Sequence, residues 1–278
     1  MRTIRLPQLQ NVGPNQRVSL SLPLGMTYEK LYFALGTNIL TTLITNVVLR
    51  LNNKEFMRWN DAAHLRAWLG YKGNNIASTS FLLLDFTERL AREEVGMKMG
   101  TIAATQEAGV QQFTLEFDLG NYAVVAGSVI TGWADIEAPS ANRIIQRVQV
   151  QQKVIGAAAE EQIYIPFGVN GQQIKRLIIK HAQLSSVRIR RDGVDILENL
   201  DVETSERRQV DYGRVPQAGY HIVDLMPDTL QSNALNTALI LLPGGKSQPV
   251  ANLDVRVTVA AADTLTVYTE SYALNSQL

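Results

Sequence analysis

Leu20-Ser21-Leu22-Pro23-Leu24-Gly25 and Ile163-Tyr164-Ile165-Pro166-Phe167-Gly168 are one pattern written twice, and they decide the fold of this chain. Each stretch places apolar residues at alternate positions, carries a proline and stops at a glycine. Alternation marks a half-buried strand. Proline cannot donate to a ladder and glycine tolerates unusual backbone angles, so the pattern reads as a strand that ends in a turn.

The echo continues outward from these stretches. Leu20, Leu22, Pro23, Leu24 and Gly25 meet their counterparts 143 positions later, and Leu31 falls on Ile174 at the same shift. At a shift of 140, Val47, Leu49 and Arg50 meet Val187, Ile189 and Arg190. Asn53, Phe56, Asp61 and Gly73 likewise meet Gly193, Ile196, Asp201 and Gly213. Residues 81–86 fall on 220–225 at a shift of 139, and Val110, Phe113, Leu115 and Phe117 return as Val250, Leu253, Val255 and Val257. The shift wanders only in loops, so the chain is a duplicated domain. The halves divide at 1–140 and 141–278, with Ile136-Glu137-Ala138-Pro139-Ser140 as the linker.

Within the first half, Val18, Leu20 and Leu22 alternate with polar neighbours, residues 28–35 are extended, and Val47, Leu49 and Leu51 lead into a turn at Asn52-Asn53. Asp61 caps a helix carrying Leu65, Trp68 and Leu69 on one face, closed by Gly70 and Gly73. The apolar run 81–86 reads as a central strand. Residues 87–95 read as a second helix, with Glu88/Arg92 and Arg89/Glu93 at helical spacing, and residues 124–133 as the last strand. Each half then holds about eight short strands with no βαβ rhythm, which predicts an antiparallel sandwich of the jelly-roll kind. The expected architecture is all-β, two tandem eight-stranded jelly rolls with short helices in the connections.

Composition narrows the function. The 278 residues are 46% hydrophobic and 19% charged with zero formal net charge, which suits a folded chain and argues against sequence-specific nucleic-acid binding. There is no cysteine, which excludes disulfides and thiolate chemistry and fits folding in a reducing cytoplasm. The start, residues 1–7, is basic without an apolar core behind it and does not read as a signal peptide. The longest aliphatic run, 238–242, falls far short of the roughly 20 residues of a membrane span, so the chain reads as soluble.

No catalytic, cofactor-binding or metal-binding residue is predicted. His64, His181 and His221 stand isolated, and none recurs in the other half, whereas a cupin-like metal site needs converging ligands. Pro243-Gly244-Gly245-Lys246-Ser247 has Ile240 where a phosphate loop needs its early glycine, so it reads as a turn. Asp61/Asp201 and Asp85/Asp224 recur, which points to a repeated structural job such as helix capping or turn formation. Structural Ca²⁺ on clustered carboxylates is the one cofactor kept open, without an EF-hand spacing to support it. Glu203, Glu206, Arg207 and Arg208 form a charged helix face, and Trp59, Trp68 and Trp133 are assigned to core or interface.

The chain resembles the major capsid proteins of corticovirus-type bacteriophages, which are tailless, icosahedral and enclose a membrane. The resemblance is carried by Met1-Arg2, by residues 21–29 (Ser-Leu-Pro-Leu-Gly-Met-Thr-Tyr-Glu) and by Asn46-Val47-Val48-Leu49-Arg50-Leu51. Leu115-Glu116-Phe117-Asp118, Ile178-Ile179-Lys180 and Val267-Tyr268 complete it, while the stretches 88–105 and 204–217 depart from the family pattern. The resemblance implies a non-enzymatic shell protein in the virion, forming homotrimers whose six jelly rolls make a pseudo-hexagonal capsomer. The implied partners are neighbouring capsomers, a vertex protein, and viral membrane proteins or lipid at the inner face. Arg2 and Arg5 are expected near that inner face, against lipid headgroups. A lectin-like jelly roll and a bicupin metal enzyme are the competing classes; glycan binding by a monomer or a tightly held transition metal would distinguish them.

Overall fold

The computed structural model describes residues 2–74, 78–168 and 171–278, so Met1 of the opening dipeptide lies outside the described residues. Two compact units emerge, residues 1–149 with 274–278, and residues 150–273.

In the first unit the alternating segments become β1 (Arg2–Arg5), β2 (Arg17–Ser21), β3 (Met26–Leu35), β4 (Ile44–Leu51) and β5 (Lys54–Asp61), followed by helix α1 (Ala62–Tyr71). Then come β6 (Phe81–Asp85), the one-turn helix α2 (Glu94–Lys98), β7 (Ile102–Ala104), β8 (Phe113–Leu119) and β9 (Ile130–Glu137). One sheet has the order β1-β9-β3-β6 with β7 beside β3; the other runs β5-β4-β8-β2. Their inner faces meet, and Tyr28 of β3 packs edge-on against Phe113 of β8 at 5.3 Å between ring centres.

β10 (Ile144–Ile155) leads into the second unit, which repeats the plan with β11 (Ala159–Ile163), β12 (Gln173–Lys180), β13 (Leu184–Arg191), β14 (Val194–Asp201) and helix α3 (Val202–Asp211). It continues with β15 (Tyr220–Asp224), the short strands β16 (Leu235–Asn236), β17 (Leu239–Leu241) and β18 (Ser247–Pro249), then β19 (Leu253–Val259) and β20 (Asp263–Leu274). One sheet places β12 between β15 and β20; the other has the order β11-β19-β13-β14. Its core is aliphatic, joining Leu177, Ile179, Val223 and Val267 of one sheet to Val187, Ile189, Val255 and Val257 of the other.

The opening echo marks equivalent strand ends. Leu20 pairs with Leu115 and Ile163 with Val255, and Gly25 and Gly168 both take positive φ, +88° and +104°. The Asn52-Asn53 turn has both residues at positive φ, as do Asp192-Gly193, the geometry of a tight hairpin. Residues 243–246 lie in the turn of the β17–β18 hairpin and Ser247 opens β18, with Leu242 N–H bonded to Lys246 O at 2.8 Å.

Five expectations are corrected. Leu31 corresponds to Leu177 rather than Ile174. Lys30 faces Asp85 and Leu31 faces Leu84, while Arg176 faces Asp224 and Leu177 faces Val223, so the shift in this strand is 146. Three extra residues between Gly168 and β12 account for the difference. Strand 81–85 is an edge strand, and its apolar run reflects cover from α1, which packs on it as well as on β4 and β5. Residues 87–93 form no helix, because Glu88 is drawn into the interior toward Lys72 and Asp85 ties Thr87 into a turn. The last strand of the first unit begins at Ile130, and Val124, Val125 and Val129 lie exposed in the preceding loop around Gly127. Ile136 and Glu137 of the supposed linker complete that strand.

Candidate functional site

The residues that recur between the units do architectural work. Asp61 Oδ1 accepts from Ala63 N–H at 2.6 Å and Asp201 Oδ1 from Thr204 N–H at 2.8 Å, so each caps the helix that follows. Asp85 Oδ1 accepts from Thr87 N–H at 2.9 Å, and Asp224 Oδ1 from Met226 N–H at 3.0 Å, the same two-residue turn. Both repeated aspartate pairs therefore do the capping and turn-forming work expected of them.

Tertiary structure adds a buried polar knot at the same place in both barrels. In the first unit Asp85 accepts from Asn74 Nδ2 at 2.5 Å and from Thr87 Oγ1 at 2.7 Å, with Lys30 Nζ at 3.7 Å. Beside it, Asp135 accepts from Thr3 Oγ1 and Tyr32 OH, both at 2.7 Å. In the second unit Arg176 bridges Asp224 at 2.9 Å and Glu270 at 3.1 Å, Lys175 reaches Glu270 at 2.7 Å, and Arg214 lies 3.4 Å from Asp224. The strand pairings make Lys30 equivalent to Arg176, Asp85 to Asp224 and Asp135 to Glu270. Sequence reading found Asp85/Asp224 alone, since the residues around them sit at shifts of 146 and 135.

Both cation sets lean on aromatic rings. Lys72 Nζ lies 4.4 Å from the centre of the Trp68 ring, and Lys175 Nζ lies 4.4 Å from that of Tyr272. Trp59 and Trp68 pack on each other in the core at 5.3 Å, as assigned from sequence, and Trp133 is half-buried.

The histidines are less isolated than their spacing implied. His181 and His221 line one cavity of about 310 Å³ with Glu206 of α3. His181 Nδ1 accepts from Gln183 N–H at 3.1 Å. Burial pushes the His221 imidazole down to about 4, partly opposed by the Asp201 carboxylate, and burial raises the Glu206 carboxyl. Among the described residues no three His, Asp or Glu side chains converge as a metal site would require. His64 is buried in α1.

Comparison with known proteins gives this architecture its context. The family model "Viral coat protein P2 N-terminal domain" matches residues 3–137, and "Viral coat protein P2 C-terminal domain" matches residues 145–275. The chain belongs to the viral coat protein P2 family. A search of curated proteins returns no match. Among solved structures, the chain is similar to the major capsid protein P2 from Bacteriophage PM2, with a TM-score of 0.85 at 16% identity over 98% of this chain and 97% of that one. It also matches a chain from the atomic structure of Sulfolobus Turreted Icosahedral Virus, with a TM-score of 0.65 at 12% identity over 98% and 90%. The PBCV-1 virus capsid gives 0.58 at 12% identity over 98% and 92%. The fold is the double jelly roll of capsid proteins, and the P2 family membership makes this chain a structural coat protein of the virion.

Proposed function

We propose that this coat protein is the major shell subunit of an icosahedral phage with an internal membrane, and that it acts as a homotrimer. The duplication carries the reading. One chain holds the same eight-stranded plan twice, with its turns, caps and buried knots in equivalent positions. Three such chains present six similar barrels, which tile a shell as a hexagon would, while the two unlike halves vary contacts between neighbours. The halves 1–140 and 141–278 serve as the two barrels. Its partners are further copies, a vertex protein, and lipid or membrane proteins on the inner side. The cysteine-free chain folds in the host cytoplasm.

Native mass measurement of the purified protein tests this, followed by imaging of assembled particles. Three chains per particle of purified protein, and hexagonal capsomers in the shell, are expected. A chain that stays monomeric under every assembly condition would overturn the reading.

A further inference from the structure

One sheet edge in the second unit lacks the cover that its equivalent has in the first. β5 ends the β5-β4-β8-β2 set, and β10 meets its outer edge at one parallel pair, Val148 with Met57. β10 is the first strand of the repeated plan, the counterpart of β1. β1 runs antiparallel to β9 with Arg5 opposite Trp133, and β10 runs beside β20, where Gln152 Nε2 donates to Thr266 Oγ1 at 3.2 Å. The edge of β5 thus meets a first strand at that pair. β14, the counterpart of β5, ends its sheet with no strand beyond it among the described residues. Val194 and Ile196 are 64% and 38% exposed there, whereas Phe56, which stands where Ile196 stands, is 1% exposed. An eight-residue open edge with exposed apolar side chains is a template for pairing with another chain. Among the described residues, the first strand that still has an open edge is β1, paired on one side alone.

We propose that β14 of one copy pairs in parallel with β1 of a second copy, so that a first strand meets this edge in every barrel of the ring. The inference rests on the trimer reading above, since a head-to-tail contact of this kind closes only when a ring forms. Counting from Gln152–Thr266 along β10 and from Arg5–Trp133 along β1 puts Thr3 where Val148 stands. Leu197 stands where Met57 stands, because Leu49 faces Met57 and Ile189 faces Leu197. Thr3 therefore meets Leu197 and Ile4 meets Glu198, which sets Arg2 one diagonal from Glu198 and Arg5 one diagonal from Asp201. The charges agree, two arginines on β1 against Glu198 and Asp201 on β14, Asp195 being paired with Arg190 of β13.

The absence of cysteine gives a clean background for cross-linking. The I4C/E198C variant, shown by native mass to be a trimer, is treated with a short bis-maleimide. A covalent trimer on denaturing gels is expected, with no linked product from either single variant. In the unmodified protein, amide exchange over residues 194–200 slows at least tenfold on trimer formation. Trimers without the linked product and without that protection overturn the pairing and leave the coat-protein reading standing; a wild-type chain that never forms trimers overturns both. If R2E/R5E trimers stay intact while binding to phosphatidylglycerol vesicles is lost, the arginines serve the membrane and the pairing is wrong.

Discussion

Arg176 and Lys30 occupy the same place in the two barrels and hold it by different means. Arg176 has no exposed side-chain surface and bridges two equally buried carboxylates. Removing it breaks two buried pairs at once while Lys175 and Arg214 stay beside the carboxylates, and breaking a buried pair costs about 3–5 kcal/mol. Lys30 retains 23% side-chain exposure, and Asp85 keeps three other donors. Arg176→Met should therefore lower stability by about 3–5 kcal/mol and Lys30→Met by no more than about 1 kcal/mol, read from denaturant midpoints. Equal losses would show that the two knots are interchangeable.

At the scale of elements, the hairpins β4–β5 and β13–β14 are each anchored by one side chain. Asn52 Oδ1 accepts from the N–H groups of Gln111 and Gln112 at 2.7 and 3.1 Å, and Asp192 Oδ1 from those of Ala251 and Asn252 at 2.8 and 2.6 Å. Each anchor ties the hairpin turn to the entry of the strand beside it, β8 or β19, while standing at positive φ. Alanine loses these bonds, and at Asn52 also the one from Nδ2 to Gly109 O at 2.8 Å, and is strained in that backbone conformation, so Asn52→Ala and Asp192→Ala should each cost about 2–3 kcal/mol. Thermal unfolding of the two variants would show it; a change below about 0.5 kcal/mol would mean the turns hold without their anchors. The helix caps make a milder case. Asp61→Ala and Asp201→Ala should each cost about 1 kcal/mol in the same measurement.

Across the whole molecule the two units part company in acid. His221 occupies the position that Leu82 holds in the first unit. Burial lowers its pKa from 6.5 to about 4, with Asp201 opposing the shift and with His181 and Glu206 lining the same cavity. Above about pH 6.5 the imidazole is neutral in folded and unfolded chains alike. As pH falls from there toward 4, the unfolded chain binds a proton that the folded chain does not, so stability declines, by about 3 kcal/mol at most. His221→Leu, which restores the residue type of the first unit, should flatten that decline. Urea midpoints between pH 7 and 4 measure it, and identical slopes for variant and parent would rule His221 out as the source.

Sequence alone determined the duplication, the all-β class and the turns, because strand alternation and glycine or asparagine punctuation are local properties of the chain. It also located both repeated aspartate pairs, whose partners lie two or three residues away. Other features needed the tertiary structure. The 146-residue shift of β3 onto β12 is set by strand pairing, and the knots join residues such as Arg176 and Glu270 that are far apart in sequence. Glu88 looked like a helix surface residue because its spacing to Arg92 is helical, and a buried lysine from another segment decides its place instead. The open edge of β14 had no local mark at all. An edge is defined by the strand that is not there, and only the assembled sheets show which strand that is.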